Sequence, residues 1–520
     1  MIGAIANLWR LFRTGATFER TGAMTEILDS LGVTGWPRFL IRAAGRPFGW
    51  FGREGLPELP PVARALQSMG PAYIKFGQVL STRPDVVGDD IVFQLRYLQD
   101  RLPPFPLETA REIIRHEIGD AAWALIDDLG EPVAAASIAQ VHPATWRPTG
   151  EKVAVKVLRP QIREQFRRDI GTFYFIAATL ERLIPQTRRL RPTAVVAHFE
   201  SVVMTELDLR LEAASASRFA DTAAGDEGLH VPRIYWEGTA RRVMTLEWID
   251  GLPLDPAVLA ANGIDARRLA TYVIRLFLSH ALRDGYFHAD MHQGNLRVQP
   301  DGTLVTLDFG IMGKLDPVTR RHYAEILFGF LTRDYRRVAE VHFEAGYVPY
   351  DRDVEAFAQA LRAIGEPITG RDVSNISMAR LLAYLLETTE RFGMETRTEL
   401  ILLQRTMVVV EGVARTLDPH TDIWEAAKPV VEGWIRDHLG PRQVLRDAVK
   451  TLEILSRLGP RLPGLAQELV MMAEDARMRR VRPIMGEKPW TVRISRPFAK
   501  GLAAGVLLGL AIVIAAAALI

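Results

Sequence analysis

Cysteine is absent from the 520-residue chain, and this absence removes several classes of chemistry. Without a thiol there is no disulfide bond, no thiolate metal site and no cysteine nucleophile. A large excess of either charge is also missing, because 64 Lys and Arg stand against 62 Asp and Glu. The overall charge therefore gives no indication of nucleic acid as a partner. Met1 to Trp9 lacks a basic stretch followed by a sustained apolar core, so we expect no secretory signal there.

Two polar motifs have the order and spacing of a phosphoryl-transfer site. Asp290 and Asn295 lie five residues apart in the stretch HADMHQGN, and Asp308 opens an Asp-Phe-Gly motif thirteen residues after Asn295. In kinases the first Asp positions or deprotonates the acceptor, the Asn holds one magnesium ion, and the second Asp holds magnesium against the nucleotide phosphates. We therefore interpret Asp290 as catalytic and Asn295 and Asp308 as Mg²⁺ ligands in an ATP-dependent enzyme.

A lysine in an apolar strand is the next candidate. Val-Ala-Val-Lys-Val at 153–157 resembles the kinase strand whose lysine, here Lys156, pairs the α- and β-phosphates. Its ammonium group needs a partner, and a glutamate on a helix is expected. Glu206 and Glu212 are six residues apart on what the sequence predicts to be one helix, so they do not share one face well. The residues alone leave open which of them pairs with Lys156.

An alanine-rich stretch stands where an ordinary kinase has its glycine-rich loop. Its members, which we predict to contact nucleotide, are Ala134, Ala135, Ala136, Ser137, Ile138, Ala139, Gln140 and Val141. Alanine still offers a backbone N–H to phosphate but resists positive φ, so the loop should be stiffer than a glycine-rich one. Taken in isolation, the same residues favour the start of an alanine-rich helix.

The coarse pattern predicts an α+β chain in four parts. Residues 1–120 form a helical extension, 121–250 a small antiparallel-sheet lobe with a helical insert, 251–480 a helical lobe, and 481–520 a basic flank with an apolar end. Short β-branched pieces from Val133 to Val157 surround a turn at 148–150, and a second strand pair spans 231–236 and 242–249. Helices are predicted at 161–184, 193–220 and 319–331, and a hairpin at 296–307 with its turn at Asp301-Gly302.

The carboxyl end carries an uncharged apolar run. Gly501 to Ile520 is long enough to cross a hydrocarbon core of about 30 Å as a helix. The stretch from Arg477 to Lys500 is strongly basic, which predicts a single anchor whose flank stays cytoplasmic. The alternative is a buried or surface-lying helix, although no polar face supports it. Gly501, Gly505 and Gly509 recur every fourth residue, so a homodimer through this helix is an open possibility.

Several motifs taken together resemble the UbiB family of atypical kinases over roughly residues 60 to 430. They are the run Ala134–His142, Lys75-Phe76-Gly77-Gln78, Glu206-Leu207-Asp208 followed by Glu212-Ala213, the HADMHQGN stretch and the apolar carboxyl end. The resemblance implies a two-lobed protein-kinase-like fold that binds ATP and Mg²⁺. It also implies a bacterial inner-membrane protein whose catalytic domain is cytoplasmic and which supports ubiquinone biosynthesis. Its partners would be ubiquinone precursors and biosynthesis enzymes. The basic stretch before the apolar run either selects anionic lipid such as cardiolipin or simply orients the helix; we favour orientation and expect stimulation by anionic liposomes as the test.

The resemblance also assigns roles to individual residues. It implies that Glu212 is the partner of Lys156, and that Met244 to Trp248, including Glu247, forms the hinge to the adenine. Lys75 and Gln78 would project from the extension into the place where a protein substrate docks, with Lys75 near Glu206 and Asp208. Without the resemblance, Lys75 and Gln78 are two polar residues of an amphipathic helix.

Two features argue against a conventional protein kinase. Ala289 stands where protein kinases carry the Arg that binds a phosphorylated activation loop, and the chain runs from Gly310 into a helix without a long peptide-binding segment. We therefore expect ATP hydrolysis or phosphorylation of a small or lipidic acceptor at the membrane. One alternative is a non-catalytic scaffold switched by nucleotide. Another is a flavin monooxygenase, because family members have been labelled 2-polyprenylphenol 6-hydroxylases, but no G-x-G-x-x-G follows a strand.

Overall fold

The computed structural model of the chain describes residues 2–30, 39, 46–81, 87–95, 97–98, 102–183, 191–369, 388, 391–394 and 398–439. These residues form two compact units. The first contains the described residues up to Ala214 together with Arg233–Trp248. The second contains Ser215–Pro232 and the described residues from Ile249 onward.

The predicted membrane anchor and its basic flank lie outside the described residues. Within the part of the chain that is described, no helix has both the length and the apolar character needed to cross a membrane. The anchor, its orientation and the glycine-based dimer contact therefore stay predictions.

The first unit begins with short helices joined by sharp turns. They are α1 (Ile2–Thr21), α2 (Ala23–Ser30), a 3₁₀ turn (Arg46–Phe51), α3 (Pro61–Met69), α4 (Pro71–Leu80) and α5 (Asp89–Leu95). Pro61 and Pro71 open their helices, where a backbone N–H is not needed, and Gly70 at φ 112° permits the bend between α3 and α4. Gly77 marks a close approach, because a Cβ there would lie 2.7 Å from Leu66 Cδ1 and would also overlap Leu98.

An antiparallel sheet follows in the same unit. Its strands are β1 (Ile126–Asp127), β2 (Ala134–Ala135), β3 (Ala139–Trp146), β4 (Glu151–Leu158), β6 (Ile234–Ala240) and β7 (Val243–Glu247), while β5 (Leu229–His230) belongs to the second unit. The order is β1-β3-β4-β7-β6, with β2 paired to β3. Alternate residues of β4 bury opposite faces: Val153 and Val155 join a cluster with helix α6 (Leu107–Trp123), and Ala154 joins the cluster of the amino-terminal helices.

A break in the helical insert corrects one sequence prediction. After α7 (Ile162–Leu183), the helix predicted at 193–220 is two helices, α8 (Pro192–Glu206) and α9 (Leu209–Thr222). Asp208 ends the run because its carboxylate accepts a hydrogen bond from Arg210 N at 3.3 Å, as an N-cap does. The Leu209 N–H donates to the Arg241 carbonyl at 2.9 Å, outside the helix. Glu206 and Glu212 therefore lie on different helices, and the prediction of one shared helix was wrong.

The second unit is mostly helical. Its helices are α10 (Pro256–Ala261), α11 (Ala266–Ser279), α12 (Pro317–Thr332), α13 (Tyr335–Glu344), α14 (Val354–Thr369), α15 (Thr398–Leu417) and α16 (Ile423–Leu439). Asp255, Asp265 and Asp316 cap three of them through carboxylate acceptors for the first free N–H groups. The short strands are β8 (Tyr286–His288), β9 (Leu296–Val298), β10 (Leu304–Thr306) and β11 (Met312–Lys314).

The predicted architecture is confirmed at the level of lobes and hairpins. An antiparallel sheet precedes a helical lobe, β3 and β4 meet around the turn at 147–150, and β9 and β10 form the hairpin predicted at 296–307. Gly302 in its turn has φ +89°, which glycine adopts without strain. The four-part division of the chain stays a prediction, and α6, which begins in the part assigned to the extension, packs with the sheet.

Candidate phosphoryl-transfer site

Strand register places Lys156 on one face of the sheet. Lys156 pairs with Val141 on β3 and with Met244 on β7, so these three side chains point to the same side. Ala154, two residues earlier, shares that side, whereas Val155 and Val157 point to the opposite side. The apolar residues before and after Lys156 therefore belong to a strand that is covered on both faces. The ammonium group of Lys156 is the polar group among these buried side chains.

The ammonium group of Lys156 is held by one glutamate. Its Nζ lies 2.6 Å from Glu212 Oε1 near the start of α9, and the two side chains are 16% and 10% exposed. At this burial the pair excludes most water, so each charge depends on the other. The structure thus brings Lys156 together with Glu212, one of the two partners that the residues left open.

The alanine-rich stretch is a tight hairpin. Ala134 pairs with Val141 and Ala135 with Gln140, and the Ala136 N–H donates to the Ala139 carbonyl at 2.8 Å. Ser137 and Ile138 form the tip, and none of residues 134–141 has a positive φ. The alternative of an alanine-rich helix start is therefore wrong, because β2 and β3 pair on either side of the tip.

Arg159, which the sequence prediction missed, fastens this hairpin. Its Nε donates to the Ala136 carbonyl at 3.0 Å and its backbone N–H donates to the Ile138 carbonyl at 2.9 Å. Burial lowers the pKa of the Arg159 guanidinium. The only signal in the sequence is an arginine directly after the strand of Lys156 and before Pro160.

Gln140 is directed away from the Lys156 face. Its side chain is fully buried and forms two hydrogen bonds with the backbone of Phe105, at 3.0 and 3.1 Å, and a third contact of 2.8 Å with His142 Nε2. Burial lowers the pKa of His142, whose Nδ1 donates to the Gly130 carbonyl at 2.8 Å. β-strand alternation places the Gln140 side chain on the face opposite to Val141 and Lys156. Of the predicted nucleotide contacts of Gln140, only one through its backbone is therefore compatible with the structure.

The predicted hinge residues end the last strand of the first unit. Met244 is buried at 1% exposure, and Glu247 Oε2 accepts a hydrogen bond from Arg233 N at 3.1 Å. The Trp248 ring lies 4.1 Å from Lys152 Nζ, a cation–π contact. Within the strand, Met244 and Leu246 thus share the face of Lys156, because they pair with Lys156 and Ala154.

The motif of the extension forms a second lysine–glutamate pair. Lys75 Nζ lies 3.2 Å from Glu206 Oε2, with side chains 19% and 14% exposed. Asp208 instead binds Arg210 through both carboxylate oxygens, at 2.8 and 2.6 Å. Hydrogen bonding from Arg210 lowers the pKa of Asp208. Gln78 lies one turn after Lys75 on α4, and its backbone carbonyl accepts from Ser81 Oγ at 2.7 Å.

The predicted catalytic loop lies in the second unit, between β8 and β9. Asn295 Nδ2 donates to the Asp290 carbonyl at 3.0 Å and to Asp290 Oδ2 at 3.3 Å. These bonds use the amide nitrogen and turn the amide oxygen of Asn295 away from Asp290. The loop therefore has one carboxylate, that of Asp290, held by the side-chain amide of Asn295, and one oriented amide oxygen.

The oxygen atoms of Asn295 and Asp308 are of the kind that binds Mg²⁺. Asp308 follows the hairpin, its Oδ1 accepts from Gly310 N at 2.9 Å, and the Leu307 N–H donates to the Asn295 carbonyl at 2.9 Å. Carboxylate and amide oxygens are the hard ligands that Mg²⁺ binds, and this ion completes its shell with water and phosphate oxygens. In the described part of the chain no cluster of three or more His, Cys, Asp or Glu side chains forms a metal cage. Asn295 and Asp308 would thus hold the ion together with phosphate rather than alone.

Three buried rings pack against one another next to the predicted catalytic loop. His288 lies 5.6 Å from the Phe309 ring, and Phe219 of α9 packs on both, at 6.3 and 5.9 Å. His288 Nδ1 accepts a hydrogen bond from Asp290 N at 3.1 Å, and burial lowers the pKa of this histidine. His288 therefore stays neutral and orients the backbone of Asp290. The sequence prediction assigned no role to Phe219.

Two further residues that the sequence prediction missed contact this loop. Thr406 of α15 donates to the Ala289 carbonyl at 3.1 Å, although the two residues are separated by 117 positions. His292 Nδ1 accepts from Gly294 N at 3.0 Å, and its Nε2 lies 3.7 Å from Asp290 Oδ2. No spacing rule signals Thr406, whereas His292 lies two residues from Asp290 and was within reach of local reasoning.

Only a short segment separates the Asp-Phe-Gly motif from the next helix. After Gly310 it forms β11, which pairs with β8, and Asp316 then caps α12 at Pro317. The helix predicted from Thr319 is thus present and starts two residues earlier. As expected, no long segment of the kind that supports peptide substrates separates the Asp-Phe-Gly motif from the helix.

Two family descriptions match the chain. The ABC1 atypical kinase-like domain matches residues 97–342, and the UbiB helical domain matches residues 361–422. The second match includes the part of α15 that carries Thr406.

Curated relatives cover most of the chain. The "Probable protein kinase UbiB" of Marinobacter nauticus is 37% identical over 520 residues, covering 98% of this chain and 94% of the relative. The protein of the same name from Azotobacter vinelandii is 40% identical over 452 residues, covering 84% and 83%. Among solved structures, a Mycobacterium tuberculosis protein in complex with erythromycin is similar with a TM-score of 0.50 and 27% identity, covering 68% of this chain and 90% of that one.

Proposed function

Since the chain belongs to the UbiB family of ABC1 atypical kinase-like proteins, we propose that it is an atypical kinase or ATPase that uses ATP and Mg²⁺. The observation that carries this proposal is the contact of 2.6 Å between Lys156 and Glu212. A strand lysine fixed by a helix glutamate is the arrangement that protein kinases use to hold the α- and β-phosphates.

The residues divide the work of phosphoryl transfer. Lys156, fixed by Glu212, binds the phosphates, and the N–H groups of the alanine-rich hairpin contact them. Asp290 positions the acceptor hydroxyl or water, with its backbone oriented by His288. Asn295 and Asp308 hold Mg²⁺, which when bound neutralises charge on the phosphates. Positioning and electrostatic stabilisation supply most of the catalysis in such transfers, so no strong base is needed.

The acceptor that we propose is small or lipidic, in support of ubiquinone biosynthesis at the bacterial inner membrane. The support for a non-peptide acceptor is the short path from Gly310 to α12 at Pro317 and the alanine at position 289. The name UbiB of the curated relatives supports the link to ubiquinone. The apolar run Gly501–Ile520 and its basic flank support attachment to an anionic membrane surface.

Phosphate release from ATP and Mg²⁺ tests the proposal. The full chain in neutral detergent is compared with Asp308→Asn, with and without anionic liposomes and a phenolic analogue of the quinone head group. We expect turnover in the parent chain, loss of about 10²-fold or more in the variant, and stimulation by the liposomes. Equal background rates in the two proteins would disprove the catalytic proposal.

A nucleotide-switched scaffold is the second candidate. The observation that favours it is the hairpin at 134–141, which lacks positive φ and is fastened by Arg159, so its approach to phosphate differs from that of a glycine-rich loop. Nucleotide binding without turnover, measured with the same two proteins, would support the scaffold. The monooxygenase alternative has no observation in its favour and is not proposed.

A further inference from the structure

A separate cavity lies entirely within the first unit, among the amino-terminal helices and α7. Its volume is about 300 Å³, at the lower end of the range of small-molecule pockets. The lining includes three arginines, Arg13, Arg53 and Arg168, and a single carboxylate, that of Asp169. None of these residues belongs to the candidate phosphoryl-transfer site.

The backbone around Arg53 is held against α1. A Cβ at Gly52 would overlap the Ala16 carbonyl, so only glycine permits this contact. The Arg53 N–H donates to Thr17 Oγ1 at 3.1 Å, and its guanidinium donates to the Ser68 carbonyl at the end of α3. The position of this arginine is therefore fixed by two helices, α1 and α3, before any ligand arrives, which reduces the entropy cost of binding.

Charge and hydrogen-bonding groups converge on the cavity. Burial, and next the positive charge of Arg13, lower the pKa of the Arg53 guanidinium, while Asp169 opposes this shift. An arginine whose charge is destabilised by burial and by a neighbouring arginine gains from a bound anion. The Thr14 and Tyr73 hydroxyls, 3.1 Å apart, add polar groups to the lining.

We propose that this cavity binds a phosphate group. The planar guanidinium group matches phosphate geometry through paired hydrogen bonds, and three arginines line this one volume. Two of them are also anchored to the backbone, Arg53 at the Ser68 carbonyl and Arg168 Nε at the Glu164 carbonyl, 3.1 Å away. The cavity is larger than a bare phosphate ion needs, so it also admits a phosphomonoester with part of its substituent. A soluble phosphate compound and the phosphomonoester head group of a lipid share this chemistry.

Binding to the full chain tests the proposal and separates the two sources. Calorimetric titration with inorganic phosphate and pyrophosphate is run without Mg²⁺ or ATP in neutral detergent. Flotation uses phosphatidylcholine vesicles with and without phosphatidic acid. The variants are Arg168→Gln and Arg13→Gln, and the matched control is Arg167→Gln, which lies next to Arg168 on α7 but does not line the cavity. All measurements are repeated with Lys156→Met, which removes the phosphate-binding lysine of the proposed ATP site.

We expect about a tenfold loss of affinity in Arg168→Gln and Arg13→Gln, none in Arg167→Gln, and full binding in Lys156→Met. Binding of the soluble anions identifies a soluble ligand, and binding only of vesicles with phosphatidic acid identifies a lipid head group. The proposal is overturned if neither probe binds, if Arg167→Gln is affected as strongly, or if binding disappears in Lys156→Met. Should thermal melting show that Arg168→Gln is unfolded, Arg13→Gln decides.

Discussion

Two lysine–glutamate pairs lie in the first unit, and they differ in what surrounds them rather than in burial. Lys156 and Glu212 are 2.6 Å apart with side chains 16% and 10% exposed, and Lys75 and Glu206 are 3.2 Å apart with side chains 19% and 14% exposed. The first pair joins a strand to α9, and the second joins two helices, α4 and α8. Similar burial implies a similar dependence of each charge on its partner.

The comparison shows that the break at Leu207–Asp208 separates two roles. Glu206 is the last residue of α8 and binds the extension, whereas Glu212 lies in the first turns of α9 and binds the strand. One continuous helix would not place both glutamates on these two partners, because residues six apart point in different directions. We infer that the Lys156 pair serves nucleotide and that the Lys75 pair fixes the extension.

The largest effect is expected when Lys156 is replaced by methionine. Lys156→Met removes the phosphate-binding charge and leaves Glu212 without its partner, so kcat/KM for ATP turnover should fall by about 10²–10³-fold. Steady-state phosphate release measures this loss. Glu212→Gln keeps the lysine but loosens it, and the loss should be smaller, roughly tenfold.

The control for this variant is Lys428→Met. Lys428 and Glu432 form an exposed pair, 3.9 Å apart with side chains 60% and 40% exposed. Its loss should leave turnover unchanged and cost at most about 0.5 kcal/mol of folding free energy. If Lys156→Met retained as much turnover as this control, the assignment of the first pair to nucleotide would be wrong.

The next largest effect is expected for Lys75→Met, and it concerns the free energy of unfolding and not ATP turnover. Lys75→Met leaves the Glu206 charge 14% exposed without its partner, so the free energy of unfolding should fall by about 3 kcal/mol, while the KM for ATP stays unchanged. Urea denaturation and steady-state kinetics measure the two quantities. The double variant with Glu206→Gln should recover part of the loss, because both charges are then absent. A rise in KM like that of Lys156→Met would place both pairs in one nucleotide site.

The sequence predicted the features that depend on residues close together in the chain better than those that depend on the helix break at Leu207–Asp208. Local spacing was enough for the order of lobes, the hairpin at 296–307 and the grouping of Asp290 with Asn295, because each depends on residues close in the chain. Which glutamate pairs with Lys156 depended on the helix break, and the signal for it was Asp208, a residue type preferred at N-caps. The alternation of β3 was also readable and would have placed Gln140 opposite to Val141.

Other contacts had no local signal. Thr406 reaches the Ala289 carbonyl from 117 residues away, and Arg159 fastens the alanine-rich hairpin from the far end of the next strand. Single threonines and arginines are common on helices and after strands, so their roles depend on tertiary packing that no spacing rule contains. Tertiary contacts of this kind are what a single sequence leaves undetermined.

A smaller effect is expected at Gly77, between Lys75 and Gln78 on α4. Gly77→Ala would bring a methyl group to 2.7 Å from Leu66 Cδ1 and into overlap with Leu98, so either these buried leucine side chains or α4 must shift, and the unfolding free energy should fall by about 2 kcal/mol. Any movement of α4 should weaken the Lys75 pair, and ATP turnover should be spared. Gly171→Ala on α7, where a Cβ has no neighbour within 4 Å, is the control and should be neutral or stabilising by up to about 1 kcal/mol. Equal effects in thermal melts of the two variants would contradict the packing argument.

The smallest effect tests the break that separates the two pairs. Hydrogen bonds from Arg210 lower the pKa of Asp208 in the folded chain, so its charged form stabilises the fold. This contribution is complete above the ordinary Asp pKa of about 3.9 and is lost as the pH falls toward the lower folded value. Asp208→Asn should therefore cost roughly 1 kcal/mol at neutral pH, and urea denaturation should show that the difference from the parent chain shrinks below about pH 4. A deficit that stayed constant down to the lowest accessible pH would show that Asp208 ends α8 through its shape and hydrogen-bonding geometry, and not through its charge.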